Sequence, residues 1–171
     1  TGEDTLSLHD ALPIFARTAS RPVASGRVSV ALAAAWMGAL CLVGLVVLFQ
    51  LHWQAQFTAL ASLALVAAYP FMKRITWWPQ VWLGLTFNWG ALVAAAATQG
   101  EITQADALLY GALIFWTLGY DTIYAIQDRE DDALIGVKST ALRFGQHIKQ
   151  AVTVIYILCI ALVALAGYVA A

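Results

Sequence analysis

Half of the acidic side chains in this sequence, five of ten, fall within Tyr120–Gly145, YDTIYAIQDREDDALIGVKSTALRFG, where an apolar stretch gives way to charge. Asp128 and Asp132 follow Asp121 by seven and eleven residues. At about 100° per residue, a continuous helix would set the three within roughly 40° of one another on a single stripe, with Glu130 and Asp131 pointing elsewhere. Three like charges on one stripe repel, and a hard divalent cation with oxygen ligands is the usual way to make such a cluster favourable. Mg²⁺ fits best, because it takes one or two carboxylates, keeps several waters and bridges readily to phosphates. Lys73 and Arg74 end an earlier apolar run and Lys138 follows the acids, so an anion could be clamped beside the metal. The plainer alternatives are solvated charges ending a helix and basic residues that only set membrane orientation. Asp121 resists the first of these, because a carboxylate inside an apolar span is costly and faces a protein interior or an aqueous cavity.

The elements that would position these groups are membrane helices. Hydrophobic residues make up 61% of the chain and charged residues 11%, with a mean hydropathy of +0.75, outside the range of water-soluble domains. Five stretches approach the ~20 apolar residues that cross about 30 Å of hydrocarbon: roughly 28–50, 54–72, 79–99, 105–127 and 148–171. All nine Lys and Arg residues fall in alternate connections: Arg17, Arg21 and Arg27 before the first, Lys73 and Arg74 after the second, and Arg129, Lys138, Arg143 and Lys149 after the fourth. Basic loops of a bilayer protein stay on one side, so this alternation orients all five crossings. Trp53, Trp77 and Trp78 sit at span ends, where indole rings anchor at the interface.

The same numbers exclude other classes. A net charge of −1 excludes a uniformly basic nucleic-acid binder. Cys41 and Cys159 lie in separate apolar runs without metal-ligand spacing, which argues against a disulfide framework or a zinc site. His52 and His147 read as loop residues.

At Asp121, Tyr124, Ala125, Asp128 and Asp132 the sequence resembles the second aspartate motif, DxxYAxxDxxxD, of the UbiA superfamily of intramembrane prenyltransferases, and IGVKSTALRFG (135–145) resembles its 4-hydroxybenzoate branch in bacteria. YPFMKRITWWPQ (69–80) is similar to that family's diphosphate-binding turn, RTASRPVASGRVS (17–29) to the segment after its first aspartate motif, and Asn88 to a polar residue facing its central cavity. The resemblance implies an all-α polytopic transmembrane bundle, about five spans of a nine-helix UbiA-type fold. It also implies Mg²⁺-dependent transfer of a polyprenyl group from polyprenyl diphosphate to the ring of 4-hydroxybenzoate, a step of ubiquinone biosynthesis, in a bacterial inner (plasma) membrane with the active-site loops cytoplasmic. Asp121, Asp128 and Asp132 would be metal-binding and catalytic, together with Tyr124. Lys73, Arg74, Lys138, Tyr69, Asn88 and Arg21 would bind substrate. Naphthoate, homogentisate or haem are alternative acceptors.

Two departures stand beside the match. The family's first aspartate motif has no counterpart before Arg17, and its last helices have none after Ala171, so the chain alone is expected to be inactive. TLSLHDALPI (5–14) resembles a translated sequencing adapter, so residues 1–16 are expected to be a non-native leader and 17–171 a partial prenyltransferase domain; His9 and Asp10 then have no role. A transporter fragment is the reading from another class, but transporter sites favour the bilayer midplane whereas most of these acids gather at a basic end. A membrane alcohol phosphatidyltransferase would carry a DGxxAR signature, which is absent.

Overall fold

A computed structural model describes residues 20–171, and the expected leader, 1–16, lies outside the described residues. Every regular element among the described residues is helical. The chain divides into two units, Thr1–Val47 and Leu48–Ala171.

In the first unit, the Arg27 guanidinium reaches back to the Ser25 hydroxyl at 3.1 Å and to the Ser20 carbonyl, closing a turn before the helix. Ser29 then accepts a hydrogen bond from the Leu32 amide at 3.2 Å, satisfying one of the orphan donors at the start of α1, Val30–Leu48. Helix α1 is apolar on every side and none of its residues is buried, the pattern of a helix whose neighbours are lipid tails or other helices.

The second unit runs α2 (Trp53–Ala68), a 3₁₀ turn at Tyr69–Phe71, α3 (Met72–Ile75), α4 (Pro79–Phe87), α5 (Trp89–Gln99), α6 (Gln104–Tyr124), α7 (Arg129–Ile135), α8 (Thr140–Phe144) and α9 (Ile148–Ala170). Pro79 opens α4 at a position where its missing N–H costs nothing. Helix α6 packs most extensively against α9, then against α4, while α2 lies along α5. Missing side chains allow these approaches. A Cβ on Gly119 would sit 2.8 Å from Cζ of Tyr156 on α9, and one on Gly84 would sit 3.0 Å from the Ile114 carbonyl oxygen on α6. Hydrocarbon offers no hydrophobic drive between helices, so such close packing supplies much of their association.

The third expected span is broken at Asn88, whose φ of −88° and ψ of 0° separate α4 from α5. Its amide nitrogen stands 2.9 Å from the Gly84 carbonyl, 3.0 Å from the Leu113 carbonyl and 2.7 Å from the Thr117 hydroxyl. The break is thereby pinned to α6 where water is scarce and freed backbone groups need protein partners. Among the described residues four segments, Val30–Leu48, Trp53–Ile75, Pro79–Gln99 and Thr140–Ala170, are long and apolar enough to cross a membrane. The fourth expected crossing, α6, has 21 residues but carries Asp106 and Asp121, which lower its hydropathy. It is the helix with the most neighbours, where polar groups can be satisfied by protein.

Candidate functional site

The acidic stretch does not form one helix. Helix α6 stops at Tyr124, residues 125–128 turn, and a separate seven-residue helix, α7, starts at Arg129 with Asp128 as its N-cap residue. The common stripe expected of Asp121, Asp128 and Asp132 therefore does not exist. Among the described residues no three His, Cys, Asp or Glu side chains come together to hold a metal ion. Gly136 ends α7 in the left-handed conformation, φ 74°, which a side chain would resist.

The turn nevertheless brings two chain-distant motifs into contact. Asp132 is fully buried, and its Oδ1 accepts from Lys73 Nζ at 3.3 Å. A buried carboxylate demands such a partner, and removing one member of a buried pair leaves an uncompensated charge. Its Oδ2 is buried without a hydrogen-bond partner. Backbone bonds fix the surroundings: Lys138 N donates to the Lys73 carbonyl at 2.8 Å, and Val137 N to the Asp132 carbonyl at 3.1 Å. Lys138 Nζ reaches the Ile75 carbonyl at 3.1 Å and lies 5.8 Å from the Trp77 ring centroid.

Asp121, in the last turn of α6, lies within electrostatic reach of Lys73 and Asp128, and Tyr69 within that of Asp121. Lys73 thus stands between two carboxylates, in contact with Asp132 and within electrostatic reach of Asp121. Tyr124 is exposed, as is Arg74 beside Lys73. The Asn88 amide is committed to α4 and α6 as described, and Arg21 belongs to the first unit.

Sequence reasoning missed a polar bracket under the site. The hydroxyls of Thr122 and Thr140 are 2.7 Å apart, and Thr140 N donates to Gln80 Oε1 at 3.1 Å. Ser139 caps α8 by accepting from Leu142 N at 3.3 Å. Gln80, Thr122, Ser139 and Thr140 are all buried. Their signal in the sequence was faint: Gln80 and the Ser-Thr pair lie inside the two segments carrying Lys73 and Lys138, but nothing in either predicts the other's partner.

The model of the UbiA prenyltransferase family matches residues 9–171. The chain belongs to that family. It is 53% identical over 134 residues to the mitochondrial 4-hydroxybenzoate polyprenyltransferase of Drosophila melanogaster, covering 78% of this chain and 34% of the fly protein. The mitochondrial 4-hydroxybenzoate polyprenyltransferase of Rattus norvegicus is 51% identical over 135 residues, covering 78% and 36%. The 4-hydroxybenzoate geranyltransferase 2 of Lithospermum erythrorhizon is 47% identical over 154 residues, covering 90% and 50%. Among solved structures, the apo UbiA homolog from Aeropyrum pernix K1 superposes with a TM-score of 0.75 at 27% identity, over 92% of this chain and 62% of that one. The chain spans about a third to a half of the length of these curated relatives.

The expected location is overturned. The bacterial plasma membrane does not stand as the location, because relatives of about 50% identity from insects, mammals and a plant are named as mitochondrial proteins. The error came from matching short motif wording, which UbiA enzymes of different compartments share. The multi-pass membrane architecture is unaffected.

Proposed function

We propose that the full-length protein containing this sequence transfers a polyprenyl group from a polyprenyl diphosphate to the ring of 4-hydroxybenzoate within a membrane. The observation that carries this reading is the Lys73–Asp132 pair, which joins a carboxylate motif to a basic turn at one end of the bundle, in a chain 51–53% identical to relatives named for that reaction.

The allylic carbon–oxygen bond breaks, diphosphate departs, and the phenol ring forms the new carbon–carbon bond and loses a ring proton. Lys73, Arg74 and Lys138 are assigned to the diphosphate oxygens, where fixed positive charge favours departure. A hard divalent cation, Mg²⁺, supplies further neutralisation of the leaving group when bound. Asp121, Asp128 and Asp132 are oxygen donors of the kind it takes but do not converge as a set of three, and the donor atom without another occupation is the unpartnered Oδ2 of Asp132. The faces of Tyr69 and Tyr124 attract positive charge on the prenyl group. The prenyl tail is itself a lipid, and a site at the end of a membrane bundle shields its reactive carbon from water.

The test is prenyl transfer by the full-length protein in membranes, with 4-hydroxybenzoate and diphosphates of several prenyl lengths, with Mg²⁺ or with chelator, beside Asp128→Ala. Metal-dependent product that disappears in the variant is expected. Product only with naphthoate, homogentisate or haem would keep the chemistry and replace the acceptor. No product with any acceptor would sink the proposal.

A further inference from the structure

Helix α7 poses a positioning problem. Seven residues are too few to hold a helix by backbone bonds alone, since isolated helices below about 12 residues are marginal in water. Most of α7 is exposed, yet it carries Asp128 at its start and the buried Asp132. Besides the Lys73–Asp132 pair, what fixes it has to act at its two ends.

Both ends converge on one place. Thr122, in the last turn of α6, meets Thr140, the first residue of α8, so the 18-residue excursion holding α7 is closed at its base by a 2.7 Å hydroxyl pair. Gln80, in the first turn of α4, accepts from the Thr140 amide at 3.1 Å and ties the same point to a third helix. Thr122 and Thr140 are 0% exposed and Gln80 is 2% exposed. Buried polar groups in such numbers persist where they specify a geometry, since an apolar core would be easier to satisfy. The backbone bond from Lys138 to Lys73 sits two residues from this point.

We infer that Gln80, Thr122 and Thr140 form a positioning bracket that sets the acidic turn, and with it Asp128, Asp132 and Lys138, against Lys73 for diphosphate binding. None of the three touches substrate in this account. Thr122 and Thr140 act through the turn they close, and Gln80 acts through the Thr140 amide. The inference rests on the reading of the site as a prenyl diphosphate site.

The experiment uses the full-length protein in detergent with Mg²⁺, and measures binding of geranyl thiolodiphosphate by calorimetry alongside steady-state prenyl transfer. The variants are Thr140→Val, Thr140→Ser, the double Thr122→Val/Thr140→Val, and Thr98→Val at the far end of α5 as control. The double variant removes both hydroxyls with little change of shape, a replacement that tends to preserve stability. Expected are at least tenfold weaker analogue binding and a matching rise in KM for the prenyl diphosphate in Thr140→Val and the double variant. The KM for the aromatic acceptor should hold, Thr140→Ser should recover binding, and Thr98→Val should match wild type. A purely structural bracket would lower the folded yield and leave the constants per folded molecule unchanged, and that result in the double variant overturns the inference. If wild-type protein binds no analogue, the functional reading fails first and takes the bracket's role with it.

Discussion

The two ends of α6 treat their carboxylates differently. At the start, Asp106 is satisfied within its own turn: the Thr103 amide donates to it at 2.9 Å and the Thr103 hydroxyl at 2.6 Å, while the Asp106 amide returns a bond to that hydroxyl at 3.3 Å. This is a reciprocal cap, complete within four residues. Beyond the other end, Asp132 takes its cation from Lys73, 59 residues earlier, and keeps one oxygen buried and unpartnered. An acid satisfied by its own turn serves the helix. An acid half-satisfied by a distant cation is held at a cost in stability, which is the arrangement expected of a group kept for chemistry.

Substitutions at the two ends test that contrast. The largest effect is expected from Asp132→Asn in the full-length protein, which should lower prenyl transfer by at least ~100-fold, the scale of losing a charge-stabilising group. Asp106→Ala should leave the rate within about twofold, since capping acts on the helix and not on a reacting group. If both variants lose activity equally, the distinction between the two acids collapses.

Next in size is Lys73→Met, which strands a buried carboxylate. Because Lys73 is 44% exposed, solvent compensates part of the loss, and about 2 kcal/mol of destabilisation is expected from thermal melting in detergent. Adding Asp132→Leu should return most of that stability while leaving the protein inactive, so stability and activity part company in one double-mutant cycle. A double variant no more stable than Lys73→Met would mean that the pair is not coupled in solution.

Between the two ends, Gly119→Val tests packing alone. Its Cβ would meet the Tyr156 ring at 2.8 Å, and overpacking of this kind costs about 1–3 kcal/mol. Melting should shift down without a change in the KM for either substrate. The smallest effect is that of Asp106→Ala on stability, about 1 kcal/mol for a lost cap, read from the same melts.

Much of the fold was legible because bilayer constraints act on single segments. A run of about 20 apolar residues and the sidedness of Lys and Arg are local properties, and the helical segments of the structure follow the expected spans. The Thr103–Asp106 cap is equally local. The candidate site was legible in its residue types: Asp121, Asp128, Asp132, Lys73 and Lys138 were singled out by charge at the edge of apolar sequence. Its geometry was not. Periodicity extrapolated α6 through Asp132, but the chain turns at residues 125–128, after Tyr124, and a new helix starts at Arg129. Compartment was misread for a different reason, since a motif reports chemistry and not the membrane in which it operates.

By itself the sequence determined that the chain is a helical membrane protein, which end of the bundle is basic, which acids lie there, and which family it resembles. Each of these depends on residue type or on neighbours within one turn. Only the tertiary structure decided that Lys73 pairs with Asp132, that one carboxylate oxygen is left unpartnered, and that Gln80, Thr122 and Thr140 close the acidic turn from beneath. Those contacts join residues 18 to 60 positions apart. No local periodicity encodes them, because they arise where the ends of separate helices meet and must satisfy one another's polar groups away from water.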